Sequence, residues 1–405
     1  MSEWKKVKLG DYIDVLSGFA YKSKDFSDSG IPVIKIKNVS PPRITLEDLS
    51  YVPEAIAFQN PRYILKKGDV LIAMTGSHIN QIASVVGRVG RVRYDDITVL
   101  NQRVGKIINK NDSLSCLDFI YYYLSQYEVK VELAQKAGGA ANQANISPLD
   151  IKNLMIPCPP VEIQHRISTI LSRYDSLIEN YQKQIKLLEE AAQRLYKEWF
   201  VDLHFPGHEN TKIVEGVPEG WEKKRLVDVV DVQYGYAFDG KLFNSNKEGT
   251  PIVRIRNIPD GYTNDYTTEE ASIDYIVKTG DILVGMDGIF HINSWSGDDA
   301  YLVQRACSFR PIHEEMKGYI FQAIQEPIKF FEMTLVGATV AHLGKKHIDS
   351  IELLIPQEQL LYEPFSKLYN RRQVLLIQIR LLTEARDRLL PKLMSGEIEL
   401  EGETG

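Results

Sequence analysis

The stretch WKKVKLGDYIDVLSGFAYKSKDF at residues 4–26 returns, with changes, as WEKKRLVDVVDVQYGYAFDGKLF at residues 221–243. The repetition continues in three shorter pairs: IPVIKIKN (31–38) with TPIVRIRN (250–257), KGDVLIAM (67–74) with TGDILVGM (279–286), and Gln102-Arg103 with Gln304-Arg305. A repeat of roughly 200 residues is too long for a solenoid and has the size of a domain plus a connector. The sequence therefore predicts two related domains that make the same kind of contact twice.

The composition is that of a globular protein with more than one domain. The chain has 405 residues, of which 44% are hydrophobic and 25% charged, which are ordinary values for folded proteins. No apolar run reaches the 18 residues of a membrane span, and the start MSEWKKVKLGDY lacks the apolar segment of a signal peptide. We therefore expect a cytoplasmic protein with no membrane contact. The three cysteines, Cys116, Cys158 and Cys307, lie far apart, so we expect reduced thiols and no metal site.

The net charge of −6 says little about a nucleic-acid partner. Residues 1–157 carry a net charge of +4, whereas residues 211–357 carry −7. Binding to a phosphate backbone depends on local clustering of basic groups on one face, which an acidic total permits. The acidic second domain nevertheless argues against strong DNA binding by each domain alone.

Each repeated domain has the sequence pattern of a mixed, strand-rich fold. Residues 33–37 and 252–256 alternate apolar and basic side chains, which predicts half-buried strands whose basic side chains share one face. Residues 118–136 have a helical pattern, with a counterpart at residues 318–335. The repeated asparagines, Asn38 and Asn257, stand at the predicted strand ends, where we expect them to cap turns.

A long helical pattern follows each domain after a short strand that stops at a proline, Pro157 or Pro356. Apolar side chains recur at heptad spacing along both patterns, which predicts that the two helices pack on each other. The predicted packing positions are Leu177, Tyr181, Leu188, Leu195, Leu368, Leu375, Leu382 and Leu389. An antiparallel pairing would make a spacer of roughly 50 Å between the domains. Homodimerisation through the same heptads remains open.

The predicted boundaries are those of two domains and two spacers. The first domain covers residues 1–157, the central spacer 158–210, the second domain 211–357 and the C-terminal spacer 358–405. The fold class is α+β, with two mixed α/β domains related by a pseudo-two-fold axis and separated by two antiparallel coiled-coil helices.

The sequence contains none of the usual catalytic motifs. It has no G-x-x-x-x-G-K-[ST] phosphate loop, no H-E-x-x-H metal motif and no G-x-S-x-G nucleophile elbow. The adenine-methyltransferase tetrad is imitated by SPPR (40–43), but an arginine stands where an aromatic ring would stack on a flipped base. We therefore expect no catalytic residue.

Three strings around the spacers resemble one protein family. LYKEWFVDLHFPG (195–207) followed by VPEGW (217–221) resembles the central region of the specificity subunit of Type I restriction–modification systems. LLPKLMSGEI (389–398) resembles the closing region of that subunit, and IPCPPVEIQ (156–164) its strand-to-helix junction. The second junction, IPQEQ (355–359), departs from the pattern because it lacks the double proline, so we expect its helix to start differently.

The resemblance implies a non-catalytic subunit in which two target-recognition domains each read half of a bipartite, non-palindromic DNA site. It also implies two methyltransferase subunits and endonuclease/translocase subunits as partners, and these would bind S-adenosylmethionine, ATP and Mg²⁺. The spacer helices would set the half-site separation. A homodimeric coiled-coil interaction protein is the alternative.

Candidate DNA contacts follow from the repeated segments, because long basic groups suit phosphate or guanine and amides suit adenine. A solvated surface position is the competing interpretation for each residue taken alone. The candidates are Lys35, Lys37, Ser77, His78, Asn80, Gln81 and Arg103 in the first domain, and Arg254, Arg256, His291, Asn293 and Arg305 in the second.

Overall fold

Two units make up the fold, each with one copy of the repeated domain and a section of each long helix. The first unit comprises residues 1–175 and 385–405, and the second comprises residues 176–384. The computed structural model describes residues 4–76, 86–137, 144–335 and 341–400.

The first unit is built on two main sheets. One has the strand order β2-β12-β8-β10-β5-β4 and the other has the order β6-β3-β11-β7; β1 pairs with β14 and β9 with β13. Its strands are β1 (Lys6–Lys8), β2 (Ile13–Ser17), β3 (Ile31–Ile34), β4 (Val39–Ser40), β5 (Arg43–Ile44), β6 (Ser50–Val52), β7 (Ile64–Leu65), β8 (Val70–Ala73), β9 (Thr75–Gly76), β10 (Val89–Arg91), β11 (Thr98–Leu100), β12 (Val104–Asn109), β13 (Ala144–Asn145) and β14 (Met155–Pro157). Its helices are α1 (Glu54–Ala57), α2 (Leu117–Leu124), α3 (Tyr127–Lys136) and α4 (Pro148–Lys152), followed by the long helix α5 (Val161–Tyr196).

The second unit repeats this plan. Strands in the order β18-β26-β23-β24 form one sheet and β19-β21-β20-β25-β22 the other, while β15 pairs with β16 and β17 with β27. The strands are β15 (Ile213–Val214), β16 (Val217–Pro218), β17 (Trp221–Arg225), β18 (Val230–Tyr234), β19 (Phe243–Asn244), β20 (Thr250–Val253), β21 (Tyr266–Thr267), β22 (Ile276–Val277), β23 (Ile282–Gly285), β24 (Ile292–Ser294), β25 (Ala300–Leu302), β26 (Ala306–Pro311) and β27 (Glu352–Pro356). The helices are α6 (Lys317–Ala323), α7 (Gln325–Thr334), α8 (Lys345–Asp349) and the long α9 (Glu363–Ser395).

The central strands of each unit are buried on both faces. All four residues of β8 and all four of β23 are buried, which explains why their sequences read as continuous apolar runs after a Gly-Asp turn. The first core also takes in Leu393 and Met394 at the end of α9, and the second takes in Phe200 and Phe365.

The long helices run antiparallel within the second unit. The Arg372 side chain on α9 meets Glu189 on α5, and Phe365, one helical section earlier, meets Phe200 just beyond the end of α5. The predicted antiparallel pairing of the helices is confirmed there. α5 begins directly after Pro160, whereas α9 begins after a 3-10 turn at Gln359–Leu361, which agrees with the difference expected between the two junctions.

The predicted packing register of α5 is wrong by one residue. Leu177 is 44% exposed, and the deeply buried side chains are Ile178, Ile185 and Ala192, at 7%, 9% and 4% exposure. Tyr181, Leu188 and Leu195 are half-buried at the flank of this stripe. On α9, Leu375 is fully buried, as predicted, and Leu368, Leu382 and Leu389 are half-buried.

Two predicted elements end earlier than their patterns indicated. The strands expected over residues 33–37 and 252–256 end at Ile34 and Val253, and 3-10 turns follow. The helix expected over residues 118–136 is two helices, because Gln126 is extended between α2 and α3.

The repeated asparagines explain the early strand ends. The Lys35 amide donates to Asn38 Oδ1 at 3.0 Å, and the Arg254 amide donates to Asn257 Oδ1 at 2.8 Å. The predicted capping role of both asparagines is confirmed. Lys35 and Lys37 therefore lie on a turn and do not share a strand face, and the same holds for Arg254 and Arg256.

Among the described helices, none is long and apolar enough to cross a membrane. Over the same residues, no three or more acidic, histidine or cysteine side chains are grouped to hold a metal ion. β14 ends at Pro157 and β27 at Pro356; the domain limits at residues 157, 210 and 357 remain predictions.

Candidate DNA-binding surface

In the first unit, three turns meet where two parallel strands end. β3 and β11 pair in parallel, with Leu100 opposite Ile34, so the turns that follow both strands lie at the same edge. The Gln102 amide donates to the Phe19 carbonyl at 2.9 Å, and the Met74 amide donates to the Arg103 carbonyl at 3.0 Å. Lys35 and Arg103, far apart in sequence, are thus brought to one edge of the fold.

The second unit builds the same edge with the same backbone hydrogen bonds. The Gln304 amide donates to the Tyr236 carbonyl at 2.8 Å, and the Met286 amide donates to the Arg305 carbonyl at 2.8 Å. Arg305 has φ +72°, a left-handed conformation that residues other than glycine adopt rarely. The hydrogen bond made by its carbonyl holds the backbone in that conformation and presents an exposed side chain.

Tight chain crossings explain two repeated glycines at these edges. A Cβ on Gly18 would lie 2.2 Å from the Asn101 carbonyl oxygen, and one on Gly235 would lie 2.1 Å from the Val303 carbonyl oxygen. No side chain fits at such distances. The aromatic residues that follow each glycine, Phe19 and Tyr236, are therefore fixed beside the Gln-Arg turn.

The basic side chains of the first edge are partly engaged by neighbours. Lys35 donates from Nζ to Ser50 Oγ at 2.8 Å and lies 4.2 Å from the centre of the Phe26 ring. Burial lowers the pKa of Lys35. Lys37 is exposed and forms an ion pair with Asp48. Arg103 is exposed, so its guanidinium is accessible at this edge.

The second edge holds its arginines in a similar way. The Arg254 guanidinium lies 5.2 Å from the Phe243 ring centre, at the position where Lys35 meets Phe26. Arg256 donates from Nε and Nη2 to the Asp265 carboxylate at 3.0 and 2.5 Å. This two-pronged pair orients a planar guanidinium but neutralises its charge.

A polar group around Asp287 completes the second edge. The Arg305 Nε lies 3.5 Å from one oxygen of Asp287, and His342 Nδ1 lies 2.6 Å from the other. The two oxygens are thus divided between a basic and an imidazole side chain that reach the same edge from different turns. His291, in the following segment, is half-buried.

The model of one family, described as "Type I restriction modification DNA specificity domain", matches residues 1–190 and again residues 218–372. The chain belongs to this family. The two matches fall on the two copies of the repeat, which confirms the resemblance inferred from the spacer strings. Membership in a DNA-specificity family does not support the alternative of a homodimeric interaction protein.

Two characterised relatives span nearly the whole chain. The Type I restriction enzyme MjaIX specificity subunit of Methanocaldococcus jannaschii is 28% identical over 98% of this chain and 94% of its own length. The HindI specificity subunit of Haemophilus influenzae is 22% identical over 98% of this chain and all of its own. The crystal structure of the Type I S subunit from M. genitalium has the same fold, with a TM-score of 0.57 at 18% identity and 96% coverage of both chains.

Within this family assignment, one candidate contact is contradicted by its burial. Asn293 is 5% exposed, and its Nδ2 donates to the carbonyls of Ile258 and Pro259 at 2.9 Å each. Its Oδ1 accepts from Arg372 Nη2 at 2.7 Å. All the hydrogen-bonding capacity of the amide is used inside the protein, so Asn293 supports the fold and does not read DNA. Four other candidates, Ser77, His78, Asn80 and Gln81, lie outside the described residues.

Aromatic side chains are the part of each edge that the sequence reasoning missed. Phe19 packs against Tyr21 and Tyr63, with ring centres 4.9 and 5.6 Å apart. In the second unit, Tyr236 packs in the same way against Phe238 and Tyr275, at 4.8 and 5.0 Å. Burial raises the pKa of Tyr21 to about 12, so its hydroxyl stays protonated. The repeated strings FAY (19–21) and YAF (236–238) are the sequence signal for this pair of clusters.

Each edge therefore combines basic side chains with a rigid aromatic base. Arginine and lysine supply phosphate or guanine contacts, whereas rings fix the turns from which these groups project. The remaining candidates, Lys35, Lys37, Arg103, Arg254, Arg256, His291 and Arg305, stay predicted DNA contacts.

Proposed function

We propose that this chain is the DNA-specificity subunit of a Type I restriction–modification complex and that each repeated domain reads one half of a bipartite, non-palindromic DNA site. The observation that carries the proposal is the double match of the specificity-domain family to the two repeats. The repeated edge supports it, since the same three turns converge in both units while different side chains occupy them.

The chain acts by recognition, and its partners supply the chemistry. Two methyltransferase subunits bind S-adenosylmethionine and modify adenine, and endonuclease/translocase subunits use ATP and Mg²⁺. The lack of catalytic motifs in the sequence is in keeping with this division of labour. No cofactor is assigned to the chain itself.

Affinity in the second domain has to come from local groups, since residues 211–357 carry a net charge of −7. Arg256 and Arg305 both rest against carboxylates, those of Asp265 and Asp287. A phosphate that approaches would compete with these carboxylates for the guanidinium groups. The exchange lowers the net gain per contact, so the isolated chain binds DNA weakly and gains affinity in the complex.

The long helices set the distance between the half-sites in this proposal. α5 has 36 residues and α9 has 33, which correspond to rods of about 50 Å at 1.5 Å per residue. A rod of that length limits the centres of the two reading surfaces to about 15 base-pair steps of 3.4 Å.

Exchange of one domain tests the proposal. Residues 1–157 are replaced by the corresponding domain of a relative, the chimera is expressed with the methyltransferase subunit, and the methylated motif is determined by sequencing of the modified genome. We expect one half of the motif to change and the other to stay. A change in both halves would contradict independent reading.

The purified chain without partners serves as the control. It should transfer no methyl group to DNA when S-adenosylmethionine is added, whereas the assembled complex should do so. Methylation by the chain alone would contradict the proposed role.

A further inference from the structure

A carboxylate on α5 joins three elements of the first unit. Asp175 is almost fully buried, with 5% of the residue exposed. Its Oδ2 accepts from the Tyr122 hydroxyl at 2.7 Å and from Arg93 Nη2 at 3.2 Å, and its Oδ1 accepts from Arg386 Nη1 on α9 at 2.8 Å. One side chain thus ties the recognition domain and both long helices together.

An arginine on α9 joins the same three elements in the second unit. Arg372 is 6% exposed, and its Nη1 and Nη2 donate to Ser294 Oγ and Asn293 Oδ1, both at 2.7 Å. Its Nε donates to Glu189 on α5 at 2.7 Å. The guanidinium also lies over the Phe321 ring at 4.9 Å, so every face of the group has a partner.

The two contacts fall on equivalent strands of the repeat. Arg91 in β10 lies opposite Val70, and Ser294 in β24 lies opposite Ile282; Val70 and Ile282 both follow the repeated Gly-Asp turn. Arg93 stands two residues beyond Arg91. In each unit, the anchoring side chain lies on the long helix that follows the domain in sequence.

The polarity of the two contacts is opposite. In the first unit the domain supplies the cation, Arg93, and its helix supplies the carboxylate, Asp175. In the second unit the domain supplies neutral acceptors and its helix supplies the cation, Arg372. A buried charge is stable only where partners of the right sign and direction surround it, which makes such a group a marker of register.

We propose that Asp175 and Arg372 are positioning residues that fix each recognition domain on its own long helix, and so aim its reading edge at the DNA. This inference rests on the proposed function. The edge and the anchor are coupled through the sheet, because Met286, whose amide holds the Arg305 carbonyl, follows the strand β23 that pairs with Asn293 and Ser294. Loosening the anchor lets the reading edge tilt, which weakens discrimination in one half-site only.

The test uses the assembled methyltransferase complex with Arg372→Met, and Arg371→Met as the matched control. Arg371 is the exposed neighbour, with a single 3.5 Å hydrogen bond to Gln184. Methylation is measured genome-wide at sites that differ from the motif by one base. With Arg372→Met we expect discrimination in the second half-site to fall about tenfold, the scale of one base-pair preference, while the first half-site and the Arg371→Met complex stay as in the wild type.

The reciprocal pair is Asp175→Asn with Asp387→Asn as its control, since Asp387 is exposed and contacts only the outer side of Arg386. Asp175→Asn should relax the first half-site alone. Arg372→Lys should recover only part of the second half-site fidelity, because an ammonium lacks the planar fork that reaches three acceptors. Equal relaxation of both half-sites, or wild-type fidelity in Arg372→Met, would overturn the inference.

Two further measurements cover variants that do not assemble. If Arg372→Met gives no complex, Ser294→Ala removes a single acceptor and must produce the same bias in smaller degree; unchanged fidelity there counts against the anchor. If the wild-type complex methylates no bipartite motif, the proposed function fails by itself. Hydrogen exchange then decides the anchor, because Arg372→Met must speed amide exchange over residues 292–296 while Arg371→Met does not.

Discussion

The register of the helix pair leads to a matched pair of substitutions on α5. Ile185 is 9% exposed, whereas Leu187, two residues later, is 64% exposed. Both Ile185→Ala and Leu187→Ala remove three carbon atoms and leave the best helix former in place. The two variants therefore differ mainly in how much apolar surface each original side chain buries.

The expected costs follow from this difference in burial. Each buried methylene contributes about 0.8 kcal/mol, so the nearly complete burial of Ile185 corresponds to about 2 kcal/mol. A residual cavity raises the loss in the free energy of unfolding to about 2–4 kcal/mol for Ile185→Ala. For Leu187→Ala, about a third of the side chain is transferred, which gives a loss below about 1 kcal/mol.

Urea unfolding of the purified chain, followed by circular dichroism, measures both losses. With a slope of about 2 kcal/mol per M, Ile185→Ala should lower the midpoint of the transition that includes the second unit by about 1 M or more, and Leu187→Ala by less than about half of that. Equal shifts, or a larger shift for Leu187→Ala, would refute the buried stripe at Ile178, Ile185 and Ala192.

Two other predictions concern DNA reading. Inserting four residues beside Gln184 adds about 6 Å and about 40° to α5, so an assembled complex should keep both half-sites while its unread spacer lengthens by about one or two base pairs; an active complex with an unchanged spacer would show that this helix does not set the distance. Arg305→Ala should weaken DNA binding by the complex without lowering its melting temperature, whereas Asn293→Ala should lower the free energy of unfolding by about 1–3 kcal/mol because it leaves buried groups unpaired. Binding titrations and thermal melts separate the two, and the reverse pattern would restore Asn293 as a DNA contact.

Repeats and turn residues were the features most readily predicted from the sequence. A strong internal repeat places equivalent residues at equivalent positions, so the paired Gln-Arg turns and the caps at Asn38 and Asn257 follow from the alignment of the chain with itself. Capping needs only local geometry, since an asparagine side chain reaches an amide three residues earlier. The same capping also explains the wrong strand ends, because it turns the backbone before the alternating pattern runs out.

The packing register of α5 needed tertiary information. Leucines at residues 177 and 188 and isoleucines at residues 178 and 185 form two apolar stripes that differ by one position, or about 100° around the helix. Helical periodicity fits both stripes, and only the partner helix decides which one is buried. The burial of Asn293 was hidden for a related reason, since a lone polar residue shows its role only when the acceptors and donors around it are known.

The hydrogen bonds of the two reading edges explain how one architecture can serve different DNA sequences. The turns are held through backbone groups, as in the bond from the Met74 amide to the Arg103 carbonyl and its counterpart from the Met286 amide to the Arg305 carbonyl. Side chains on these turns are therefore free to change without loss of the turn itself. The anchors are held in the opposite way, by side-chain groups of Asp175 and Arg372 that tolerate little change. A domain of this kind can acquire a new half-site by substitution on its edge, but it keeps its aim only if its anchor still matches the helix behind it.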